Sequence, residues 1–133
     1  MIVGLNHIAI AVPDFEEAIE RFLLDFGITF KGTEDVVAAK TKTAFFPIEG
    51  TQIELIHPLN SESPVQKFLD KRGPGLHHIC FASDALDEDI VRLKEKGYRF
   101  ITEEPQVGAH NSCVIFIHPK STGGVLIELV ESH

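Results

Sequence analysis

The sequence predicts an α+β chain built from two tandem βαβββ modules, and three observations predict it. The tripeptide Ile-Glu-Leu occurs twice, in TQIELIHP around Glu54 and in GVLIELVES around Glu128, each time as one carboxylate inside an apolar, β-prone run. Two further apolar strands each carry a histidine, His7 in LNHIAIAV and His78 in LHHICFAS. Between them, DFEEAIERFLLDFGITF lies over DALDEDIVRLKEKGYRF at a constant offset, with Asp14 over Asp84, Gly27 over Gly97 and Phe30 over Phe100. Self-similarity on this scale is the mark of a repeated structural unit.

Taken in order, residues 2 to 12 alternate around His7 as a strand that Pro13 and Asp14 end. Asp14 with Glu17 three residues on has the spacing of a helix-starting capping box. Phe15, Ala18, Ile19, Phe22, Leu23 and Phe26 then recur at helical spacing, and Gly27 stops the helix. Residues 28 to 33, 42 to 48 and 51 to 57 read as strands of a meander, with the turn at Glu49 and Gly50. Pro58 to Gly75 join the halves, and Ser63-Pro64 is a cap and first-turn pair ahead of Val65, Phe68 and Leu69. From Leu76 the pattern repeats: a strand through His78, a capped helix from near Asp84 with Leu86, Ile90 and Leu93 inward, and a strand around Phe100. Strands over 113 to 118 and 125 to 130 complete the second unit. The modules thus run from 1 to about 58 and from about 76 to 133, joined by a linker helix at about 59 to 75.

A chain of 133 residues with 44% hydrophobic content suffices for one domain with a core and is short for two. Its formal charge of −8 argues against nucleic-acid partners. No apolar run reaches the length of a membrane span and no basic, apolar leader is visible, so the expected location is the cytoplasm. Cys80 and Cys113 form no paired motif and read as thiols without assigned chemistry.

In a strand, Glu54 points to the face opposite Ile53 and Leu55, and an ionised carboxylate there needs a partner. A lone strand histidine is ordinarily a hydrogen-bonded core residue, and a lone Glu54 can pair with Lys42 across a sheet. Two histidines and two carboxylates in repeated positions resist that reading. His7 and Glu54 are 47 residues apart and His78 and Glu128 are 50. If the halves pack by pseudo-symmetry, the four side chains meet in one concavity as a divalent-metal site, with ligands that suit Co, Zn, Ni, Mn or Fe. Gln52 shares the face of Glu54, whereas His77 should face away from His78. His57, His118 and His133 read as turn, loop and terminus residues, and His110 lies in a loop where a substrate contact is possible.

LNHIAIAVPD, the doubled βαβββ pattern and the two Ile-Glu-Leu strands resemble the vicinal oxygen chelate, or glyoxalase, superfamily. Within it GLHHIC, EEPQVGAHN, IELIHPLNSESPVQKFL and above all HPKSTGGVLIEL resemble the methylmalonyl-CoA epimerase branch, over essentially the whole chain. The resemblance implies eight strands in a curled mixed sheet around a metal cleft with the helices outside, metal ligation by His7, Glu54, His78 and Glu128, and a homodimer. It also implies an acyl-CoA substrate and an isomerase that moves a proton at the α-carbon through a metal-stabilised enolate, with Glu128 in one proton-transfer role. The alternatives are a glyoxalase I-type isomerase and a binding protein on the same fold. An extradiol dioxygenase site is disfavoured by the second carboxylate. The chain departs from the branch in one respect. Some members carry a second acid/base on the segment before the Glu54 strand, near a Pro-Glu-x-Gly-Val motif, but no carboxylate stands between Asp35 and Glu49 here. Glu34, Asp35, Lys42 and His110 are the candidates for the second proton transfer.

Overall fold

The structure, a computed structural model, describes residues 1–131. His133 therefore lies outside the described residues. The expected α+β architecture is present, and it falls into two compact units: residues 7–77, and residues 1–6 together with the chain from His78 on.

In the first unit β1 (Ile2–Ala11, entering the unit at His7) lies parallel to β4 (Thr51–Pro58), while β3 (Thr41–Ile48) and β2 (Thr33–Val36) follow antiparallel, in the order β2-β3-β4-β1. Helix α1 (Phe15–Glu20) starts as expected, because Asp14 accepts a hydrogen bond from the Glu17 amide at 3.0 Å. Such a cap contributes about 1 kcal/mol. The helix then widens into a π-helical turn over Arg21–Asp25, where the Phe26 amide donates to the Arg21 carbonyl. The extra residue per turn shifts the phase of the apolar stripe. As a correction to the expected stripe, Leu23 and Phe26 are exposed, whereas Phe15, Ala18 and Ile19 pack on Ala44, Phe46 and Leu55. Helix α2 (Pro64–Arg72) covers the other face of the same strands, with Val65, Phe68 and Leu69 on Ala9, Ala11 and Ile56. Its cap is Ser63, whose fully buried hydroxyl accepts from the Val65 amide.

The strand expected over 28 to 33 forms instead at Thr33–Val36. Ile28 and Phe30 belong to the α1 core, and the Lys31 amide and Gly32 carbonyl both bond Phe45, a bulge that delays the ladder. Gly32 sits at φ +94°, a backbone that side-chain-bearing residues avoid.

In the second unit β5 (Gly75–Ser83, entering it at His78) lies parallel to β8 (Ile127–Glu131), with β7 (Cys113–Ile117) and β6 (Gln106–Val107) antiparallel beyond, in the order β5-β8-β7-β6. The strand expected at Phe100 reduces to a single bridge to Ile117, and the fourth strand is β6. Helix α3 (Leu86–Glu95) packs Leu86 and Ile90 on Ile115, Ile117 and Leu129. Asp84 is not its cap: the helix is preceded by Ala85, whose amide bonds the Ser83 hydroxyl, and the Glu131 carboxylate accepts from the Leu86 amide. Asp89, fully buried on α3, accepts from the Ser83 hydroxyl and the Arg92 guanidinium. Burial alone would raise its pKa. The hydrogen bonds from Ser83 and Arg92, together with the Met1 ammonium 3.2 Å away, outweigh burial and hold it below the ordinary carboxylate range.

Candidate functional site

The parallel β1–β4 pair positions the first candidate couple. Ala9 stands opposite Glu54 and Ala11 opposite Ile56, so His7, at the level of Gln52, shares their face. The opposite parity, Ile8, Ile10, Ile53 and Leu55, faces α1. His7 and Glu54 are each only 6% exposed, so the charge on Glu54 has to be matched inside the protein. Nδ1 of His7 lies 3.1 Å from Oε2 of Glu54, and Nε2 of Gln52 donates to that same oxygen at 2.9 Å. Lys42, the other partner considered for Glu54, is on the α1 face instead, with Nζ over the Phe15 ring at 5.3 Å.

The parallel β5–β8 pair repeats the device. Cys80 stands opposite Glu128 and Ile79 opposite Ile127, which places His78, Cys80 and Glu128 on one face, away from α3. Nε2 of His78 lies 3.0 Å from Oε1 of Glu128, both residues being buried, and the Phe116 ring meets the imidazole edge-on at 5.1 Å. Phe116 is also the cross-strand neighbour of Glu128 on β7.

The spacing within each couple is compatible with two ligands on one cation. Two donor atoms held at right angles on an ion with bonds of about 2.1 Å are about 3.0 Å apart. Both couples combine one imidazole nitrogen with one carboxylate oxygen, a donor set that suits divalent first-row metals. The same spacing serves a direct imidazole–carboxylate hydrogen bond. The residues present thus fit a divalent ion.

The remaining histidines sort by parity and loop geometry. His77 points away from His78 and stacks edge-on with Phe68 at 4.8 Å. His57 is not a turn residue: it belongs to β4 on the α1 side, where Nδ1 donates to the Val12 carbonyl at 2.8 Å beside the Phe15 ring. His118 caps a short 3₁₀ turn by accepting from the Lys120 amide. His110 is exposed in a loop where it and Asn111 both adopt positive φ.

Sequence reasoning passed over Cys80. Its sulfur lies within 4.8 Å of a Glu128 carboxylate oxygen and is fully buried. The signal was present in its spacing, two residues after His78 on one strand, but a small thiol in an apolar strand reads as core filling.

The profile of the Glyoxalase/Bleomycin resistance protein/Dioxygenase superfamily matches residues 6–116. The chain belongs to this superfamily. It is 40% identical to an ethylmalonyl-CoA/methylmalonyl-CoA epimerase of Cereibacter sphaeroides, over 97% of this chain and 98% of that protein. It is also 40% identical to the mitochondrial methylmalonyl-CoA epimerase of Homo sapiens, over 96% of this chain and 73% of that one. Among solved structures, a variant methylmalonyl-CoA epimerase of Streptomyces coelicolor in complex with 2-nitronate-propionyl-CoA superimposes with a TM-score of 0.95 at 33% identity, covering 99% of each chain. Among the described residues, no helix of this superfamily member is long and apolar enough to cross a membrane.

Proposed function

We propose that this chain is a methylmalonyl-CoA epimerase. The observation that carries the reading is the repeated strand-borne His–Glu couple in a chain whose relatives, matched along nearly its whole length, are epimerases of malonyl-type CoA thioesters. Those relatives favour epimerisation over a glyoxalase I-type isomerisation or a binding role. We read His7 and Glu54 in the first unit, and His78 and Glu128 in the second, as ligands for a divalent cation. When bound, that ion supplies Lewis-acid stabilisation of the oxygen on which negative charge develops, an effect worth several kcal/mol.

The chain's own residues do the rest. Gln52 and His7 fix the Glu54 carboxylate from two sides, and His78 with Phe116 fixes the Glu128 side, so the groups are oriented before substrate arrives. Glu128 moves one proton at the substrate α-carbon, between the carbon flanked by two carbonyl groups and its own carboxylate oxygen. Burial strengthens each of these electrostatic interactions. The two modules act as a single catalytic domain, the protein works as a homodimer in the cytoplasm, and the CoA portion extends along the loops outside the strands.

The test is exchange of the α-proton of (2R)- and (2S)-methylmalonyl-CoA with solvent deuterium, in chelator-treated protein and in protein reloaded with Co(II). Metal-dependent exchange with interconversion of both epimers is expected. No exchange in the reloaded protein would sink the epimerase reading. Light scattering of the purified protein tests the dimer, and cell fractionation its location.

A further inference from the structure

Inverting one carbon takes two groups. A carboxylate removes the α-proton and leaves the C–H electron pair in the enolate, and a second, protonated group delivers a proton to the opposite side of the same carbon. Atoms and charge balance, and the two groups have exchanged protonation states, which solvent resets. Glu128 accounts for one side only.

We propose that Glu34 is the second proton-transfer residue; the assignment rests on the epimerase reading. The register of the first unit singles it out. Glu34 stands opposite Thr43, and Thr43 opposite Ile56, which lies on the face of Ala9, Ala11 and Glu54. Glu34 therefore projects from the same face as His7 and Glu54. On the four strands of that unit, His7, Glu54 and Glu34 are the titratable side chains with this parity. Asp35, the neighbouring carboxylate, has the other parity: it pairs across β2–β3 with Lys42, whose ammonium lies over Phe15 on the α1 side. Of the two adjacent carboxylates, Glu34 alone shares the face of Glu54.

The level of Glu34 along the face also fits. Beyond Glu54 come Phe45 on β3 and then Gly32, where an added Cβ would meet nothing within 4 Å. Glu34 sits one pair further along, past that side-chain-free position. Two strand spacings across and two residues along put the Glu34 and Glu54 Cα atoms about 12 Å apart. That span is within the combined reach of two glutamate side chains with a small acyl group between them. Between Glu54 and Glu34 this face is formed by the buried side chains of Phe45 and Thr43, while Ala9, Ala11 and Ile56 lie under α2. Glu34 is half-buried: accessible to solvent for resetting its proton, yet partly shielded.

The experiment follows both epimers of methylmalonyl-CoA in deuterium oxide, scoring solvent exchange and inversion separately. It uses metal-loaded wild type, Glu34→Gln, Glu34→Ala and Asp35→Asn. Removing one acid/base group costs about 10²–10⁴-fold. Both Glu34 variants should lose inversion by that factor while still exchanging the α-proton of one epimer with retention, because the group on the other side still works. Calorimetric binding of propionyl-CoA and metal content should stay within twofold of wild type, and Asp35→Asn should match wild type throughout. Inversion at the wild-type rate in Glu34→Gln overturns the assignment alone. Equal loss of exchange for both epimers, or propionyl-CoA binding lost in both Glu34 variants, also overturns it, since Glu34 would then hold the site or the substrate rather than move a proton. Failure of metal-loaded wild type to exchange either epimer overturns the epimerase reading and this assignment with it.

Discussion

Replacing Asp89 by Asn removes a charge from the place in the second unit where it is most enclosed, without changing the side chain's shape. Asp89 is fully buried and accepts from both Ser83 and Arg92, tying α3 to the end of β5. Hydrogen bonds to a charged group contribute about 1.5–3 kcal/mol, so Asp89→Asn should destabilise the protein by about 2–3 kcal/mol at pH 7. In urea that moves the unfolding midpoint down by about 1–2 M. The pH dependence has a definite sign. The folded pKa of Asp89 is depressed: burial opposes this, but the hydrogen bonds from Ser83 and Arg92 and the nearby Met1 ammonium together outweigh it. Its stabilisation is therefore fully present above the unfolded value of about 3.9 and is lost as pH falls through the folded value. Urea titrations of wild type and Asp89→Asn at pH 7, 5, 4 and 3 should show a constant gap at the two higher values that closes toward the lowest. A gap that persists unchanged at pH 3, or no gap at pH 7, would refute the reasoning.

Other outcomes follow from the same geometry. His7→Ala and His78→Ala should each abolish retention of divalent metal after dialysis. Metal at a hundredfold excess over its dissociation constant should stabilise wild type by about 2.7 kcal/mol and leave both variants unchanged, read by thermal unfolding. Gly108→Ala places a Cβ 2.7 Å from Val114 Cγ1, so it should cost about 1–3 kcal/mol, and the second substitution Val114→Ala should recover part of that loss in chemical denaturation. Ser63→Ala removes the α2 cap and should lower stability by about 1 kcal/mol. Burial first, then the nearby charges of Asp87 and Glu131, push the Cys113 thiol up, so its alkylation at pH 8 should be slower in the native protein than in urea.

The two His–Glu couples were legible because a strand's alternation is strict: a carboxylate between Ile53 and Leu55 has only one face to occupy. The parallel pairing that brings His7 to Glu54 was not in the local pattern, but the repeat implied it. Elements failed where a local signal had two readings. Ile28 and Phe30 are apolar because they join the α1 core, and nothing short of the register with Phe45 shows that the ladder starts only at Thr33. Asp84 sits where Asp14 sits in the first repeat, yet Ser83 and Glu131 supply the partners at the α3 start, and the latter comes from 45 residues away. The π-helical turn that exposes Phe26 has no signature in the helical spacing at all. Glu34 and Asp35 were indistinguishable as a dipeptide, since choosing between them requires knowing which is opposite Thr43.

The shared parity of Gln52, Glu54 and Ile56 on β4 has a consequence for how the protein matures. A one-residue slip of that strand against β3 would leave strand content intact and be invisible to far-ultraviolet circular dichroism, yet it would turn Glu54 toward Phe46 and Ala44 and set Leu55 beside His7. The misregistered chain would bury a bare carboxylate among phenylalanines, which costs more than the native pairing. Selection of the correct register and assembly of the His7–Glu54 couple are thus one event. Molecules that pass the fold's own check for a dry core leave it with the His7–Glu54 couple already in place.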